Sequence, residues 1–547
     1  MSTPPKSVDL RPDHWAIVRD ALRQHVPDRE ALVFGSRATG NAKAYSDLDL
    51  AIMGEEPLSL RIVSALDEAL SESDLPFKVD VVECARIDEG FRRIIRGHGV
   101  VVWGVGGDSR VVRPACFENW STMPFTEAFL INPAVPIERG SRTPFVNMAA
   151  IEPGRRTVHS SSVRTFRGSG SRFQNGDTLF ARITPCLENG KIACYNADVD
   201  LGIGHGSTEF IVIRGRPGVT DTKYAFYVAR SDLVRGYAIG QMTGTSGRQR
   251  VPPGSLAHLD VAVPSLPEQR AIAHILGSLD DKIELNRRTN ETLEAMARAL
   301  FKSWFVDFDP VRAKMEGRDT GLPEDIADLF PGRLVDSEMG EIPAGWEVAR
   351  LSQLMDINPK RSLPRGQEAP YLPMANMPTR AHVPDSIAVR AFGSGMRFAN
   401  GDTLVARITP CLENGKTAYV DFLRDNEVGW GSTEYIVLKP QPPLPDQFAY
   451  CLARSGGFRE FAIHNMSGTS GRQRVPVAAV KGFLLVAPPA GLAAHFGNVA
   501  ALLFERANRA SRASRTLAAI RDTLLPALIS GDLRAQAVEQ FTGGGVG

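Results

Sequence analysis

The sequence of 547 residues predicts a multi-domain α/β protein. Three observations lead to this prediction: a small N-terminal unit that alternates helices with short apolar strands, a module that occurs twice, and a long helical segment behind each copy. Each module offers several short β-rich runs and few helices, which predicts an α+β domain. A chain of this length commonly holds three to five domains.

Composition excludes some classes of protein. The net charge is +1, and residues 1–110 hold 14 basic and 18 acidic residues, so overall charge gives no argument for nucleic-acid binding. No apolar run reaches the roughly 18 residues of a membrane span. The polar start MSTPPKSVDLRPDHW is unlike a signal peptide. Six cysteines without a CxxC pair fit a reducing, cytoplasmic setting.

Residues 1–108 predict a small α/β domain. HWAIVRDALRQH is an amphipathic helix, and ALVFGSRATG follows as a strand and a turn. AYSDLDLAIM is a strand with alternating carboxylates, RIVSALDEALSES a helix and FKVDVVE another strand. FRRIIRGHGVVVW closes the unit.

The candidate chemistry of this domain lies in three aspartates. Asp47 and Asp49 share one face of a strand because side chains alternate, and two adjacent carboxylates call for a cation such as Mg²⁺. Asp80 on a later strand would ligate the catalytic metal, completing a two-metal cradle, and favour deprotonation of an acceptor hydroxyl. Gly35 and Ser36 would bind a triphosphate through backbone N–H groups and a hydroxyl. The alternative is an aspartate-rich surface turn.

The combination of FGSRATG, SDLDLAI and the third aspartate in VDVV resembles the minimal nucleotidyltransferase domains of the DNA polymerase β superfamily. The resemblance is closest to those domains that are paired with HEPN toxins. It implies transfer of a nucleoside monophosphate from ATP, or another nucleoside triphosphate, onto a protein or small-molecule hydroxyl, with Mg²⁺ as the metal.

An internal repeat defines the rest of the chain. RFQNGDTLFARITPCLENGKIA, from Arg172, recurs as RFANGDTLVARITPCLENGKTA from Arg397. GHGSTEFIVI recurs as GWGSTEYIVL, and MTGTSGRQRVP as MSGTSGRQRVP, at an offset of about 224–226 residues. Two copies at this spacing indicate a duplicated domain rather than a solenoid. We predict a first module at 109–264 and a second module at 341–490.

Two polar loops in each module are the candidate nucleic-acid contacts, RITPCLENGK and TGTSGRQRV. Glycine and hydroxyl groups beside arginine suit phosphate oxygens, and arginine and glutamine also suit base edges. The predicted contact residues are Arg182, Lys191, Thr245, Ser246, Arg248, Gln249 and Arg250, with Arg407, Lys416, Thr469, Ser470, Arg472, Gln473 and Arg474 in the second module. The alternative is that these loops cap the fold and pair with neighbouring carboxylates. Residues common to both copies suit phosphate contact or scaffolding better than base reading.

Long helices are predicted at 265–308 and 491–535. The residues on one face of the first helix are spaced alternately four and three apart, as in a coiled coil. This face, the first seam, consists of Leu279, Ile283, Asn286, Asn290, Leu293, Ala297, Leu300 and Trp304. The second seam consists of Leu503, Ala507, Ala510, Ser514, Leu517, Ile520 and Leu524. Pairing of these helices would give a pseudo-two-fold particle, and two unrelated surface helices are the alternative. Residues 309–340 are predicted to form a linker and 536–547 a disordered tail.

The two modules and their helices resemble the specificity (S) subunit of type I restriction–modification enzymes, over about residues 110–540. NGDTLFARITPCLENGK, GSTEF, GTSGRQRV and LPEQRAIAHILGSLDDKIELN carry the resemblance. It implies target recognition domains that each read half of a bipartite double-stranded DNA site, separated by antiparallel coiled-coil helices. It also implies docking of methyltransferase (M) subunits, two of them, and recruitment of nuclease/translocase (R) subunits. The S portion needs no cofactor, since S-adenosylmethionine belongs to the M subunit.

Helix length would then act as a ruler for half-site spacing. A helix over 278–306 spans about 43 Å at 1.5 Å per residue. On duplex DNA this equals on the order of 13 base pairs.

The sequence supports two functions of different classes. The first is a DNA specificity subunit with an accessory nucleotidyltransferase-like domain. The second is a Mg²⁺-dependent protein nucleotidyltransferase, antitoxin-like, that a DNA-binding S-like half localises.

Overall fold

The computed structural model describes residues 8, 10–34, 37, 47–54, 56–86, 92, 95, 100–103, 120–197, 202–245, 247–384, 386–469, 471–536 and 538. The chain divides into two compact units, residues 1–275 with 524–547, and residues 276–523. No helix in the described ranges combines the length and apolar character that a membrane crossing needs.

The described part of the N-terminal domain is a sheet with two helices. The helices are α1 (Pro12–His25) and α2 (Leu60–Ser71), and the strands are β1 (Ala31–Phe34), β2 (Leu48–Ile52), β3 (Val79–Glu83) and β4 (Val100–Trp103). The strand order is β3-β2-β1-β4, with β2 and β3 parallel and the other neighbours antiparallel. This confirms the predicted α/β fold.

Alternation along β2 gives the sheet an apolar face and a mixed face. Leu48 and Leu50 are buried in a core shared with Trp15 of α1 and Leu66 of α2. Asp49 points to the opposite face because neighbouring side chains on a strand point in opposite directions. The helices therefore cover one face of the sheet, and the carboxylates lie on the other.

The first module is built from two sheets and a two-stranded ribbon. Its elements are β5 (Ser121–Pro124), α3 (Phe125–Ala128), β6 (Phe129–Ile131), β7 (Arg142–Val146), β8 (Thr157–Val158), β9 (Ser162–Thr165), β10 (Ser171–Gln174), β11 (Thr178–Ala181), β12 (Ile192–Tyr195), β13 (Ile203–Gly206), β14 (Phe210–Gly215), α4 (Thr222–Arg230), α5 (Asp232–Gly240) and β15 (Asp260–Val263). The sheets have the orders β6-β14-β11-β12-β8 and β10-β13-β7-β9, and β15 pairs with β5. The predicted α+β class is confirmed.

The first long helix leads through a linker to the second module. The helix is α6 (Leu266–Phe305), and the linker contains α7 (Asp309–Met315), α8 (Glu324–Ala327) and a hairpin of β16 (Leu334–Ser337) and β17 (Gly340–Pro343). The hairpin was not predicted, because the sequence pattern of residues 309–340 indicated only a linker.

The second module repeats the plan of the first. Its elements are β18 (Glu347–Arg350), α9 (Leu351–Leu354), β19 (Met355–Ile357), β20 (Glu368–Leu372), β21 (Ala388–Ala391), β22 (Met396–Phe398), β23 (Thr403–Ala406), β24 (Thr417–Tyr419), β25 (Gly429–Gly431), β26 (Tyr435–Pro440), α10 (Asp446–Ala453), α11 (Gly456–His464), α12 (Val477–Lys481) and β27 (Leu484–Ala487). The sheets have the orders β19-β26-β23-β24 and β21-β20-β25-β22, and β18 pairs with β27. The second long helix, α13 (Ala490–Ser530), follows.

The NGD turn of each module is held by a buried aspartate. Asp177 is fully buried, accepts a hydrogen bond from the Gln174 backbone N–H and pairs with Arg214. In the second module Asp402 is equally buried, but its ion-pair partner is Arg361, which comes from a different segment. Each copy therefore pairs its buried carboxylate with an arginine, but the arginine comes from a different position in the two copies.

The sequence KYAFYVARSDLVRGYAI, residues 223–239, predicts one helix, and the structure contains two there. Ser231 has extended backbone (φ −60°, ψ 150°), and its hydroxyl accepts a hydrogen bond from the Val234 N–H. Ser455 caps α11 in the same way in the second module. The single-helix prediction was wrong because serine favours an N-cap over a helix interior, which apolar periodicity does not register.

The two long helices run antiparallel within the unit of residues 276–523. Three polar contacts define the register: Arg521 Nη1 lies 2.6 Å from Asp280 Oδ1, Asn286 Nδ2 3.2 Å from Ser514 Oγ, and the Asn290 amide 2.8 Å from Ser511 Oγ. Residue numbers fall on α13 as they rise on α6, which gives the antiparallel sense.

One seam residue was predicted wrongly. Ile520 is 43% exposed, whereas its neighbour Arg521 is 4% exposed and is paired with Asp280. The prediction was based on the spacing of apolar residues, which does not count a charged residue. Arg521 can nevertheless be buried because its carboxylate partner is buried with it.

Candidate functional site

Two of the predicted aspartates are neighbours across the N-terminal sheet. Asp49 of β2 is the register partner of Asp80 of β3, and parallel pairing brings both onto the face of the sheet opposite α1 and α2. Asp47 lies two residues before Asp49 and is exposed. Gly35 and Ser36, the predicted triphosphate contacts, lie outside the described residues.

The three aspartates carry like charges close together, so they repel one another. Burial raises the pKa of Asp49, and the charges of Asp80 and Asp47 raise it further. Lys78 forms an ion pair with Asp80, and this hydrogen bond raises the pKa of Lys78. A divalent cation would relieve the repulsion, so the donor set suits a hard metal such as Mg²⁺.

The side chains do not form a closed metal site by themselves. Among the described residues, no group of three or more His, Cys, Asp and Glu side chains has the arrangement of a metal-binding cluster. Mg²⁺ is commonly held by one or two carboxylates together with substrate phosphates. Asp49 and Asp80 fit that role, with the remaining ligands supplied by a nucleotide.

Arg37 follows the predicted triphosphate contacts and was not singled out from the sequence. Its side chain is 5% exposed, and the guanidinium carbon lies 3.8 Å from the centre of the Phe77 ring. This stacking contact joins the segment after β1 to the segment before β3. The arginine in FGSRATG was the available signal.

The two polar loops of each module come together as one surface. In the first module the Thr184 N–H donates to the Gln249 carbonyl at 3.0 Å, and the Gln249 N–H donates to the Thr184 hydroxyl at 3.0 Å. In the second, the Thr409 N–H donates to the Gln473 carbonyl at 3.0 Å. The predicted contact residues of the two loops are thus neighbours in both modules.

Within the TGTSGRQRV loop the arginines divide into a paired and an exposed position. Arg250 Nε lies 2.9 and 3.0 Å from the two carboxylate oxygens of Glu209, and Arg474 pairs with Glu434 at 2.8 and 2.9 Å. These hydrogen bonds raise the pKa of Arg250 and that of Arg474. Arg250 and Arg474 are thus paired with neighbouring carboxylates, which is the geometry expected if these loops cap the fold.

Arg248 and Arg472, two residues earlier, are exposed, and so are Thr245 and Thr469. Gln249 and Gln473 are partly buried beside them. Ser246 and Ser470 lie outside the described residues.

The lysines of RITPCLENGK are turned into their own modules. Lys191 Nζ donates to the Met148 carbonyl at 2.9 Å, and Lys416 Nζ donates to the Met374 carbonyl at 2.6 Å. The Nε atom of Arg182, by contrast, is buried without a hydrogen-bond partner in the part of the chain that the structure describes, whereas Arg407 Nε lies 4.0 Å from a carboxylate oxygen of Glu434. The unmet donor makes Arg182 a stronger candidate for an anion ligand than Lys191.

Comparisons with known proteins agree with this geometry. The family model of the nucleotidyltransferase domain matches residues 16–102, and that of the type I restriction modification DNA specificity domain matches residues 143–295. Over 95 residues, 17% of this chain, the sequence is 50% identical to the probable protein adenylyltransferase MntA of Haemophilus influenzae and covers 83% of that protein. The type I restriction enzyme HindI specificity subunit of the same species is 24% identical over 423 residues, 68% of this chain and 90% of that subunit. The chain is a type I restriction–modification specificity subunit with an N-terminal nucleotidyltransferase domain.

Both resemblances drawn from the motifs of this specificity subunit are therefore confirmed. Its modules are the recognition domains of the family, called here recognition domain 1 and recognition domain 2. The crystal structure of the type I restriction–modification S subunit from M. genitalium is also similar to this chain. The match covers 76% of this chain and 98% of the M. genitalium chain, at 15% identity and a TM-score of 0.43.

Replacing Asp49 by asparagine is expected to stabilise the N-terminal domain at neutral pH. Burial and the charges of Asp80 and Asp47 raise the pKa of Asp49, so its ionised form is penalised in the folded state. The gain should be full above the raised pKa, shrink as the pH falls through it, and vanish below about 3.9, the value of an unfolded aspartate. The measurement is hydrogen exchange of the β2 amides in the full chain against urea concentration.

Asp20→Asn, an exposed change on α1, is the control and should move stability by less than about 0.5 kcal/mol. Lower stability of Asp49→Asn at neutral pH would mean that a favourable partner, rather than repulsion, dominates at Asp49.

Proposed function

We propose that this subunit supplies DNA sequence specificity to a type I restriction–modification complex. Each recognition domain reads one half of a bipartite double-stranded site, and the long helices carry two methyltransferase subunits. Nuclease/translocase subunits join that assembly. The observation that carries the proposal is the repeated loop surface, in which the same exposed arginine stands beside the same capped arginine in both domains.

The loop surface favours contact with the DNA backbone. Arg248 and Arg472 are exposed on loops whose neighbouring arginines are fixed by Glu209 and Glu434, so the loops are held rigid while one guanidinium on each is available. Phosphate contacts position a protein on the duplex without carrying sequence information. Because this surface is the same in both domains, reading of different half-sites belongs to residues that differ between the copies.

Each long helix also presents a second seam, on its outer side. On α6 it comprises Ser278, Lys282, Leu285, Thr289, Thr292, Met296 and Ala299. On α13 it comprises Leu502, Arg506, Arg509, Ala513, Thr516, Ile520 and Thr523, the same repeat positions. The steps again alternate four and three residues, which is the period of helix pairing.

Each outer seam exposes large apolar side chains that a partner helix could cover. Leu285 is 55% and Met296 53% exposed on α6, and Leu502 is 68% and Ile520 43% exposed on α13. The Thr292 hydroxyl donates to the carbonyl of its own helix at Arg288, which leaves its methyl group for a partner. We assign these seams to the methyltransferase subunits, one on each helix, since the duplication provides two equivalent seams.

The N-terminal domain is a second candidate activity, nucleotidyl transfer to a protein hydroxyl. Mg²⁺ held by Asp47 and Asp49 would neutralise the triphosphate of ATP and polarise it. Asp80 would ligate the catalytic metal and favour deprotonation of the acceptor hydroxyl, whose proton passes to solvent while its oxygen bonds to the α-phosphorus and pyrophosphate leaves. Lys78 must then give up its ion pair with Asp80. The observation that favours this activity is the register pairing of Asp49 with Asp80.

Replacing Arg248 or Arg472 by alanine should weaken binding to the gapped DNA site that the assembled complex selects from a random library. The slope of log affinity against log salt should fall by about 0.9 for each lost phosphate contact, and the melting temperature should not change. Arg250→Ala should instead lower the melting temperature, because Glu209 loses its partner. Arg333→Ala, an exposed arginine in the linker hairpin, is the control. Unchanged affinity and slope for both loop variants would remove this surface from the DNA contact.

Replacing Met296 or Ile520 by aspartate should each remove one of two bound methyltransferase subunits. Burial of an unpaired carboxylate in an apolar seam costs several kcal/mol, which is more than tenfold in affinity. Native mass spectrometry of the assembled complex gives the stoichiometry. Met315→Asp, at an exposed methionine of α7, is the matched control. Two bound subunits in both variants would place the docking surface elsewhere.

Incubation of the full chain and its partners with labelled ATP and Mg²⁺ should label a protein, if the N-terminal domain is active as proposed. Asp47→Ala and Asp49→Ala should lower the labelling by roughly a hundredfold or more, because both remove a ligand of the metal. Asp20→Ala is the control on the same domain. Labelling that persists in both variants would assign it to another protein in the mixture.

A further inference from the structure

The outer face of one sheet in recognition domain 1 carries an aligned row of arginine, histidine and aromatic side chains. Strand pairing sets Arg172 of β10 beside His205 of β13, and His205 beside Phe145 of β7. The guanidinium carbon of Arg164, on β9, lies 4.0 Å from the centre of the Phe145 ring. That of Arg172 lies 5.2 Å from the centre of the Phe166 ring, which also contacts His205.

Recognition domain 2 carries the same row with different central residues. Arg397 of β22 pairs with Trp430 of β25, which pairs with Tyr371 of β20. The guanidinium carbon of Arg390 lies 4.7 Å from the Tyr371 ring centre, and that of Arg397 lies 4.8 Å from the Phe392 ring centre. The two arginines and the flanking rings are thus retained, while histidine is exchanged for tryptophan.

Burial separates the roles within the row. His205 is 5% and Trp430 8% exposed, so the central residues fill the space between the rings. The arginines lie on the outside: Arg164, Arg172 and Arg390 are exposed, and Arg397 is partly exposed. Cation–π stacking fixes a guanidinium plane, which lowers the entropy cost of binding an anion. On Arg397 the Nη1 atom already donates to the Arg361 carbonyl at 2.6 Å, so only its remaining Nη atom is available to a ligand.

The surface around the row is strongly basic. Residues 138–172 contain seven arginines and two glutamates. Arg164, Arg172, Arg390 and Arg397 form no ion pair with a carboxylate of the described ranges. This local excess of positive charge is hidden in the net charge of +1.

A cavity beside the row is also cationic. Its volume is about 340 Å³, and Arg172, Arg182, Ser171 and Thr208 are among the residues that line it. No carboxylate lines it, and the Nε atom of Arg182 is buried without a hydrogen-bond partner in the described part of the domain. Arg182 is joined to the TGTSGRQRV loop, because its carbonyl accepts the Val251 N–H at 2.8 Å. The row and the loop surface are therefore continuous through Arg172 and Arg182.

We propose that the stacked arginines, Arg164 and Arg172 in domain 1 and Arg390 and Arg397 in domain 2, bind DNA backbone phosphates and position each half-site. The inference rests on the proposed DNA-binding function and extends its surface from the loops to the sheet face. Phosphates are the ligand because the arginines are the same in both domains, whereas residues that distinguish two half-sites must differ. The cavity between Arg172 and Arg182 takes one of these phosphates.

The test uses the complex assembled with its methyltransferase subunits, on its selected DNA site and on DNA with one half-site scrambled. Arg164→Ala with Arg172→Ala, and separately Arg390→Ala with Arg397→Ala, are compared with Arg333→Ala. We expect each double variant to weaken binding to both DNAs by the same factor. The slope of log affinity against log salt should fall by about 0.9 for each lost phosphate contact. Phosphate-ethylation interference should be lost only over the half-site of the altered domain.

Phe145→Leu and Tyr371→Leu keep every charge and remove the stacking platform, so we expect a smaller loss of affinity with an unchanged salt slope. Melting temperatures show whether each variant is folded.

The inference would be overturned if both double arginine variants kept the salt slope and the phosphate-ethylation interference pattern of the unmodified complex. A loss restricted to one DNA sequence would also overturn it, because it would indicate base reading. If the unmodified complex binds no DNA, the proposed function itself fails and the inference fails with it.

Discussion

The buried ion pair between Asp280 and Arg521 is the constraint on which the pairing of the long helices depends. Burial lowers the pKa of Arg521, and the charges of Asp280 and Asp522 more than offset this, so that its pKa is raised. Both partners are almost fully buried, at 3% and 5% side-chain exposure. Removal of one partner from such a pair costs about 3–5 kcal/mol, so a slipped register that separated them would be disfavoured by a similar amount. The pair therefore specifies register more than it adds stability.

Two asparagines extend this constraint along the seam. Asn286 and Asn290 meet Ser514 and Ser511, so the middle of the interface is polar, and the small serines let the helices approach. A seam of leucines would be more stable but would tolerate alternative registers. Each recognition domain precedes one of these helices in sequence, and the polar contacts give the paired segments of the helices a single register.

The duplication separates what the fold requires from what it tolerates. The pairs Arg250–Glu209 and Arg474–Glu434 are the same in both domains, and each ties the TGTSGRQRV loop to the residue that precedes β14 or β26. The buried aspartate of the NGD turn is also retained, yet its arginine partner comes from β14 in one domain and from the segment before β20 in the other. The retained feature is the neutralised carboxylate rather than a particular pair of residues.

Opposite electrostatics distinguish the two functional parts of the chain. The N-terminal sheet places Asp49 beside Asp80, burial and repulsion raise the pKa of Asp49, and this is the site that we propose for a metal cation. The recognition domains gather arginines on stacked rings and glycine-rich loops, and this is the surface that we propose for DNA phosphates. Since the charges balance to +1 over 547 residues, neither property is visible in the composition.

The sequence by itself determined the duplicated plan, both family resemblances, the aspartates of β2 and β3, and the asparagines of the helix seam, because each depends on local pattern or on repetition. Only the tertiary structure decided which arginines are capped and which are exposed, since Glu209 lies 41 residues from Arg250. The structure also shows that Arg521, rather than Ile520, lies in the seam. It further shows that Arg172, His205 and Phe145 lie side by side on three paired strands. Those outcomes depend on pairings between distant segments, and periodicity within one segment contains no information about its partner.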